Sequence, residues 1–398
     1  MSSVFRSLAI ILLAGALSGC SLPYYLRAIG GQLELLRKRQ PIESVIADAG
    51  QNAAVKTTLS RVAEMREFAV NALGLPDNDS YTTYVDLDRP YAVWNVIAAE
   101  EFSVEPERWC FPFAGCVAYR GFFDLEDAER YRRGLEEDGL DTYTGGVRAY
   151  STLGYFDDPV LNTMLDGGEE YIASVLFHEL AHQKLYVKDD SELSEAFATA
   201  VEEYGMAMWL GERGRPGALE LYRERVARRN EFGQLVSAQQ ARLSEIYNSP
   251  RSDEAKRAAK AESFEIMRGE YAQLKARREG VGDYDAWFAQ PLNNAALASV
   301  ATYTRWLPAL RWRLEQIGLN AFYREMETVA DRPAGERVAV LESWLAARGK
   351  VPRRTETGEA PVRQGARREN IGIIRPTSNV DGRDASPVEC GGAFATGC

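Results

Sequence analysis

The chain has 398 residues but only two histidines, and both lie in the motif His178-Glu179-Leu180-Ala181-His182. On an α-helix, residues four apart share one face, so both imidazole rings can reach one metal ion. Glu179 would lie beside them, placed to take a proton from a metal-bound water. The motif therefore predicts a helical metal centre. The alternative is a chance match on a helix whose polar groups are satisfied by hydrogen bonds.

The segment around the motif has the composition of a buried helix. Residues 170–187 contain neither Pro nor Gly, and their apolar side chains lie on nearly every helical face. Two imidazoles and a carboxylate are costly to bury unless they are paired or bound to a metal. The apolar surroundings therefore favour the metal interpretation.

A catalytic zinc ion needs three protein ligands and one position for water. No histidine remains for the third ligand, and Leu185 and Lys188 stand where a three-histidine pattern would need Gly and His. A carboxylate or a cysteine must therefore complete the set.

A second helix is predicted over residues 192–205, after a polar break. Glu195 is the favoured third ligand because it lies about one turn inside this helix among small and apolar residues. Glu192 lies in the first turn, where acids are usually solvated. Glu202 lies two turns after Glu195, and we expect a surface acid there more than a group that contacts substrate.

Residues 1–19 are a predicted signal peptide, because the apolar run at 8–17 is too short to span a bilayer. The run ends in Leu17-Ser18-Gly19-Cys20, which resembles the bacterial lipobox. This resemblance implies cleavage before Cys20 and acylation of that cysteine, which anchors a protein to a bilayer. Ser21 implies the outer membrane, with the protein facing the periplasm. The alternative is an ordinary cleaved signal in which Cys20 is incidental.

Cys110 and Cys116 are separated by five residues, and in an oxidising periplasm a disulfide between them is the natural expectation. Two buried free thiols are the alternative. Cys390 and Cys398 lie in the tail and indicate little.

The formal charge of −11 and the hydrophobic content of 45% indicate a globular chain with a real core and argue against nucleic-acid binding. The patterns predict an α+β fold, predominantly helical, with one domain over 20–350. Residues 351–398 are rich in Arg, Gly and Pro and are predicted to be disordered. The sequence does not indicate an oligomeric state.

The α+β part is predicted over about 50–165, the two active-site helices over 168–212, and a helical part over 215–348. The predicted helices cover 56–73, 124–137, a short segment starting at Asp158-Pro159, an αα-hairpin of 219–247 and 253–278, then 293–317, 322–330 and 335–348. The predicted strands cover 91–98, 117–123, 140–143 and 149–156.

Several segments resemble bacterial lipoproteins described as aminopeptidases, which are gluzincin-like: an H-E-x-x-H helix followed by a glutamate on the next helix. The segments that carry the resemblance are Gly30–Arg37, Tyr91–Asn95, Trp109–Gly121, Gly146–Pro159, Phe177–Asp190, Ser194–Glu202 and Leu292–Ala295, with Tyr303 behind the last.

The resemblance implies a zincin-like metallopeptidase with a small N-terminal mixed sheet and one zinc ion per chain. His178, His182 and Glu195 would hold the zinc. Ser151–Phe156 would be the strand that borders the cleft and pairs with the peptide substrate. Many gluzincins orient a zinc histidine with an Asp four residues after the third ligand, but Thr199 stands at that position here.

The mechanism implied is peptide hydrolysis with Glu179 as general base. A group must also stabilise the oxyanion, and Tyr155, Tyr204 and Tyr303 are candidates, although packing is the usual role of a tyrosine. In an aminopeptidase an acid must meet the free amine of the substrate, for which the candidates are Glu202, Asp157 and Asp158. The alternatives are a zinc endopeptidase, a cell-wall amidase and a non-catalytic binding lipoprotein.

Overall fold

The computed structural model of the chain describes residues 22–111, 115–152, 154–278, 280–301 and 305–350. The predicted signal peptide, Cys20, Tyr303 and the predicted tail at 351–398 lie outside these ranges.

The described chain is predominantly helical with small sheets, which is an α+β architecture. The helices are α1 Leu22–Lys38, α2 Ile42–Ala47, α3 Ala53–Asn71, α4 Leu125–Glu137, α5 Asn162–Leu165, α6 Gly168–Lys184, α7 Ser191–Glu212, α8 Pro216–Tyr247, α9 Asp253–Arg277, α10 Asp285–Ala289, α11 Asn294–Ala301, α12 Leu307–Ile317, α13 Leu319–Ala330 and α14 Ala334–Lys350. The strands are β1 Gln40–Pro41, β2 Thr83–Val85, β3 Val93–Ala99, β4 Trp109–Phe111, β5 Gly115–Val117, β6 Arg120–Phe122, β7 Asp141–Val147 and β8 Val160–Leu161.

Three small sheets precede the motif helix. In the first, β2 lies between antiparallel β1 and parallel β8, so this sheet is mixed. In the second, β3 pairs antiparallel with β6 and with β7, and Val93 lies opposite Val147. The third is the β4–β5 ribbon, in which Cys110 faces Cys116 and is joined to it by a disulfide.

The main core surrounds the helices α6 and α7, which pack against each other and against α3 and α12. Phe177 of α6 lies with its ring centroid 5.7 Å from that of Phe68 and 6.3 Å from that of Trp209. Gly205 permits the close approach, because a Cβ atom there would lie 2.6 Å from Leu73 Cδ1 and 3.1 Å from Phe177 Cδ2. The helices around the motif are therefore held by tight apolar packing.

The predicted αα-hairpin is present as α8 and α9, which close a second core of their own. Within it, Gln239 Nε2 donates a buried hydrogen bond to Ser263 Oγ at 2.8 Å. Tyr247 donates to Asn294 Oδ1 at 2.7 Å, and Asn294 Nδ2 donates to the carbonyl of Glu100 at 2.9 Å. These bonds attach the hairpin to α11 and to the end of β3.

The strand expected over 149–156 is wrong, because residues 149–152 form no strand beyond a single bridge at Ser151 and residues 154–156 form a turn. Gly154 has a φ of 82°, which an extended strand does not allow. The Thr152 hydroxyl closes the turn by accepting the N–H of Phe156 at 3.0 Å. Hydrogen bonds of the Thr152 side chain therefore replace the backbone hydrogen bonds that a β-strand would make to a neighbouring strand.

Three other boundaries differ from the sequence patterns. Val160–Leu161 pairs with β2 as a strand, so the helix expected from Asp158-Pro159 begins only at Asn162. The strand expected over 117–123 is divided between β5 and β6. The helix expected over 293–317 is divided, because α11 ends at Ala301 and α12 begins at Leu307.

Among the described residues, no helix combines the length and the apolar character that crossing a membrane requires.

Candidate metal centre

Helix α6 carries the H-E-x-x-H motif inside the core. The side chains of His178, Glu179 and His182 are only 1–2% exposed. Apolar residues on the other faces of α6, such as Leu176 and Leu180, fix the helix against its neighbours. The three polar side chains must therefore satisfy one another or a bound ion.

The loop after α6 sets the position of the next helix. Val187 N–H donates to Ser194 Oγ at 2.9 Å, and Ser194 Oγ donates to the carbonyl of Asp190 at 3.0 Å. The Asp190 side chain caps α7 by accepting the N–H of Leu193 at 3.2 Å. Glu195 follows one turn later, is 3% exposed, and lies across from the histidines.

The three predicted ligands meet in one cluster. His178 Nε2 lies 3.1 Å from His182 Nε2 and 3.2 Å from Glu195 Oε2, and His182 Nε2 lies 3.5 Å from Glu195 Oε1. Among the described residues this is the one group of three His, Cys, Asp or Glu side chains able to hold a metal ion.

The spacing and chemistry of this donor set fit zinc. Ligand atoms held tetrahedrally at about 2.0–2.1 Å from zinc are about 3.4 Å apart, close to the three separations found here. Two imidazoles and one carboxylate are also a donor set that zinc commonly takes in catalytic sites.

The surface position expected for Glu202 is wrong. Glu202 is 2% exposed, and its Oε2 lies 3.2 Å from Nδ1 of His178. Its other oxygen accepts from Ser174 Oγ and from the Tyr222 hydroxyl at 3.5 Å, and Arg229 Nη1 lies 3.7 Å away. Glu202 therefore orients the first histidine through the ring nitrogen opposite the metal-facing one.

Thr199 cannot supply the carboxylate expected four residues after Glu195, and Glu202 supplies it instead. The orienting carboxylate lies seven residues after Glu195 rather than four, on the same face of α7. His182 lacks such a partner, because its Nδ1 is buried without a hydrogen-bond partner among the described residues. Its ring packs edge-on against that of Tyr186, with centroids 6.0 Å apart.

Glu179 is buried, and its carboxyl group makes no hydrogen bond of standard geometry among the described residues, although Ser151 lies close enough to lower its pKa. Burial raises the pKa of Glu179 to about 8, and the nearby Glu195 carboxylate adds to this rise, although His178 opposes it. A cation beside Glu179 would lower that pKa by favouring the ionised form. The carboxylate is therefore free to accept a proton from a group that enters the site.

The charges of the cluster favour a cation. Burial opposes ionisation of Glu195, but His182 and His178 hold its pKa well below the usual range. Burial likewise favours a neutral His178, but Glu195 and Glu202 raise the pKa of this ring to about 10. A metal ion would displace the proton from Nε2 and provide the positive charge that the buried carboxylates attract.

The tyrosines predicted from the sequence as oxyanion donors do not share one location. Tyr155 is 62% exposed on the turn after Thr152, and Tyr204 is a partly buried member of the main core, while Tyr303 lies outside the described residues. The sequence argument missed Tyr186, four residues after His182. The Tyr186 ring lies beside His182, burial and the Glu195 carboxylate raise the pKa of its hydroxyl, and a hydrogen bond with Ser191 opposes this rise.

Asp158 is not available to bind a substrate amine. It is 1% exposed and accepts hydrogen bonds from Thr152 N at 2.8 Å, Thr152 Oγ1 at 2.8 Å and Ser151 Oγ at 3.2 Å. These bonds brace the turn at 154–156, and Asp157 lies exposed on it. Gly154 lies beside Gln183, so the turn borders the end of α6.

The disulfide ribbon contacts the loop between the two ligand helices. Cys116 N–H donates to Asp189 Oδ1 at 3.2 Å, and Asp189 has a φ of 63°. Gly115 has a φ of 75°, and a Cβ atom there would lie 2.5 Å from the same carboxylate oxygen. The ribbon therefore supports the loop that leads from His182 to Glu195.

A family model described as "Putative aminopeptidase" matches residues 23–341. This range covers both ligand helices and the three sheets. Comparison with curated proteins gave no significant match. Comparison with solved structures gave none either.

Proposed function

The chain belongs to the "Putative aminopeptidase" family, and on this premise we propose that it is a zinc-dependent peptidase. The proposal rests on one observation. His178 Nε2, His182 Nε2 and the Glu195 carboxylate form a buried triangle with sides of 3.1–3.5 Å, and the buried acid Glu179 follows His178 directly on the same helix. A purely structural cluster would give no reason to bury a further acid beside these three groups.

His178, His182 and Glu195 would hold the zinc ion. When bound, zinc lowers the pKa of water and polarises a carbonyl group. Glu202 keeps the proton of His178 on Nδ1, because a carboxylate at 3.2 Å favours an N–H there. Nε2 then presents its lone pair toward His182 and Glu195.

Glu179 acts as the general base. It takes a proton from the attacking water and later gives it to the leaving amine. We assign the hydrogen bond to the oxyanion of the tetrahedral intermediate to the Tyr186 hydroxyl, because the Tyr186 ring lies 6.0 Å from that of His182. Tyr186 is preferred to Tyr155 and Tyr204, and Tyr303 stays a candidate.

The order of helices supports a zincin-like, gluzincin-type arrangement. The H-E-x-x-H helix α6 is followed directly by α7, which supplies both Glu195 and the orienting Glu202. A peptide would not pair with residues 154–156 as an added strand, because they form a closed turn. That turn would instead contact the substrate with its exposed aromatic side chains, Tyr155 and Phe156.

We place the protein at the outer membrane, facing the periplasm and anchored through acylated Cys20. The lipobox-like Leu17-Ser18-Gly19-Cys20 supports this assignment. Cys20→Ala should remove the acyl anchor, so that the protein leaves membranes in high-salt or carbonate washes that the wild type resists, or it should leave the unprocessed precursor. Fractionation with such washes, combined with mass spectrometry of the N-terminal peptide, tests this, and a wild-type N-terminal peptide without an acyl adduct would contradict it.

The peptidase proposal is tested by mass spectrometry of a peptide library incubated with purified zinc-loaded protein. Each peptide is supplied with a free and with an acetylated N-terminus. Stepwise loss of single residues from free N-termini alone would support an aminopeptidase. Internal cleavage of both forms would indicate an endopeptidase, and cleavage only of cross-linked wall peptides an amidase. The Glu179→Gln variant is the matched control, and cleavage that persists in it would contradict the assignment.

A further inference from the structure

Helix α1 presents apolar side chains to solvent. Leu26 is 61% exposed, Ile29 55% and Leu33 42%, and Gly30 is exposed between them. These four positions fall within about 100° of the helix circumference, so they form one continuous stripe. We call this set the α1 stripe.

The α1 stripe is unusual for this protein. Ten large hydrophobic residues are exposed in the described chain, and Tyr25, Leu26, Ile29 and Leu33 all lie on this one helix. Single exposed apolar residues are normal, whereas contiguous ones mark a surface that contacts something.

The opposite face of α1 is fixed to the body of the protein. Tyr24 is 8% exposed and packs edge-on against Phe122 with ring centroids 5.5 Å apart, and Leu35 is 1% exposed. Gly31 lies so close to Phe123 that a Cβ atom would be 2.2 Å from the ring. Because this inner face is packed, the helix cannot rotate to bury its stripe.

We propose that the α1 stripe lies in the surface of a lipid bilayer, so that α1 is an interfacial helix. Leu22, the first residue of α1, is two positions after Cys20, and two residues span at most about 7 Å. An acyl chain on Cys20 would therefore bring the start of the helix to the membrane. This inference is independent of the proposed peptidase activity and shares only the proposed membrane location.

The charges of α1 fit an anionic bilayer. The helix carries Arg27, Arg37 and Lys38 against one acid, Glu34, which gives a net charge of +2, whereas the whole chain carries −11. Arg27 pairs with Asp127 and Lys38 with Glu34, so Arg37 is the cation best placed to meet lipid headgroups. Arg37 is exposed at the C-terminal end of the stripe. Apolar side chains flanked by cations are the pattern of helices that lie in the headgroup region.

The test uses the mature chain with Cys20→Ala, so that no acyl chain contributes. Its co-sedimentation with vesicles of phosphatidylethanolamine and phosphatidylglycerol is compared with that of three variants of the same chain. These are Leu26→Glu/Ile29→Glu, the milder Leu33→Ser, and Leu221→Glu/Ile266→Glu on α8 and α9 as the control. Leu221 is 63% exposed and Ile266 45%, so the control adds the same two negative charges at exposed apolar residues of other helices.

We expect the α1 double variant to lower the bound fraction at least fivefold, Leu33→Ser to lower it by a smaller factor, and Leu221→Glu/Ile266→Glu to leave it nearly unchanged. Circular dichroism and zinc content should be the same in all four proteins. Failure of the unsubstituted chain to bind, or equal binding by all variants, would overturn the proposal. A dimer in sedimentation velocity that the α1 variants abolish would also overturn it, by assigning the stripe to a second copy. Peptidase activity is measured in a separate assay. An inactive protein would contradict the proposed function but would leave the result on membrane binding unchanged.

Discussion

His178 and Glu202 lie 3.2 Å apart through Nδ1 and Oε2, inside a core where both side chains are at most 2% exposed. This contact joins the two helices from the side of the ring opposite Nε2. It fixes the plane of the His178 ring, and it would hold the remaining proton on Nδ1 once a cation displaces the proton on Nε2. The predicted metal site is therefore oriented from outside its ligand set.

We predict that Glu202→Ala weakens zinc binding by about 10- to 100-fold, because the His178 ring loses its orienting acceptor. Glu202→Gln should have a smaller effect, since its amide oxygen can still accept the Nδ1 proton. Competition with a chromophoric chelator measures the affinity. The matched control is Glu203→Gln, which changes a neighbouring acid that pairs with Arg229 and Arg311. Equal effects at both positions would point to general destabilisation.

The ligands and the base should respond differently to substitution. His178→Ala, His182→Ala and Glu195→Ala should each lose zinc and some thermal stability, because metal binding is coupled to folding. Glu179→Gln should keep near-stoichiometric zinc while turnover falls about 100-fold or more. Atomic absorption and thermal melting separate the two classes. Full zinc occupancy in Glu195→Ala would remove it from the ligand set.

Tyr186→Phe should retain zinc and lower kcat by about 10- to 100-fold, because one oxyanion donor is lost. KM should change little if the hydroxyl acts mainly in the transition state. Tyr204→Phe is the control, since Tyr204 packs in the main core. Steady-state kinetics on one peptide give both constants, and an unchanged kcat would exclude Tyr186 from the chemistry.

Gly205→Ala should destabilise the fold by about 1–3 kcal/mol, because the new Cβ would lie 2.6 Å from Leu73 Cδ1. Gly211→Ala on the same helix has open space and should stabilise it by about 0.5–1 kcal/mol. Urea denaturation of the two variants measures both changes. A Gly205→Ala protein of unchanged stability would show that the Leu73 side chain can move away without loss.

Burial raises the pKa of Asp158 to about 6 from its usual 3.8, despite hydrogen bonds from Thr152 and Ser151 that lower it. The folded state therefore binds this proton more tightly than the unfolded chain. Stability must fall as pH rises from about 4 to about 6, by up to about 3 kcal/mol relative to Asp158→Asn. Denaturation at several pH values gives this difference, which would be constant if Asp158 titrated normally.

The sequence determined the local parts of this protein. Unbroken apolar patterns predicted the helices that carry the motif and Glu195, and the structure has them at Gly168–Lys184 and Ser191–Glu212. The αα-hairpin followed from the helical stripe in α9 and the break at residues 248–252. These features depend on residue spacing within one element, which a single sequence displays directly.

Tertiary structure decided what lies around the motif. An acid two turns after Glu195 could face solvent or protein, and only the packing of α6 against α7 buries Glu202 at His178. Tyr186 lies in a loop, where no periodicity indicates a direction. The turn at 154–156 exists because Asp158 and Thr152 satisfy each other's hydrogen bonds, which a β-like residue pattern does not reveal. Each of these contacts forms only after folding brings the two side chains together. Its free energy therefore depends on the neighbouring residues in space, which the local sequence pattern does not describe.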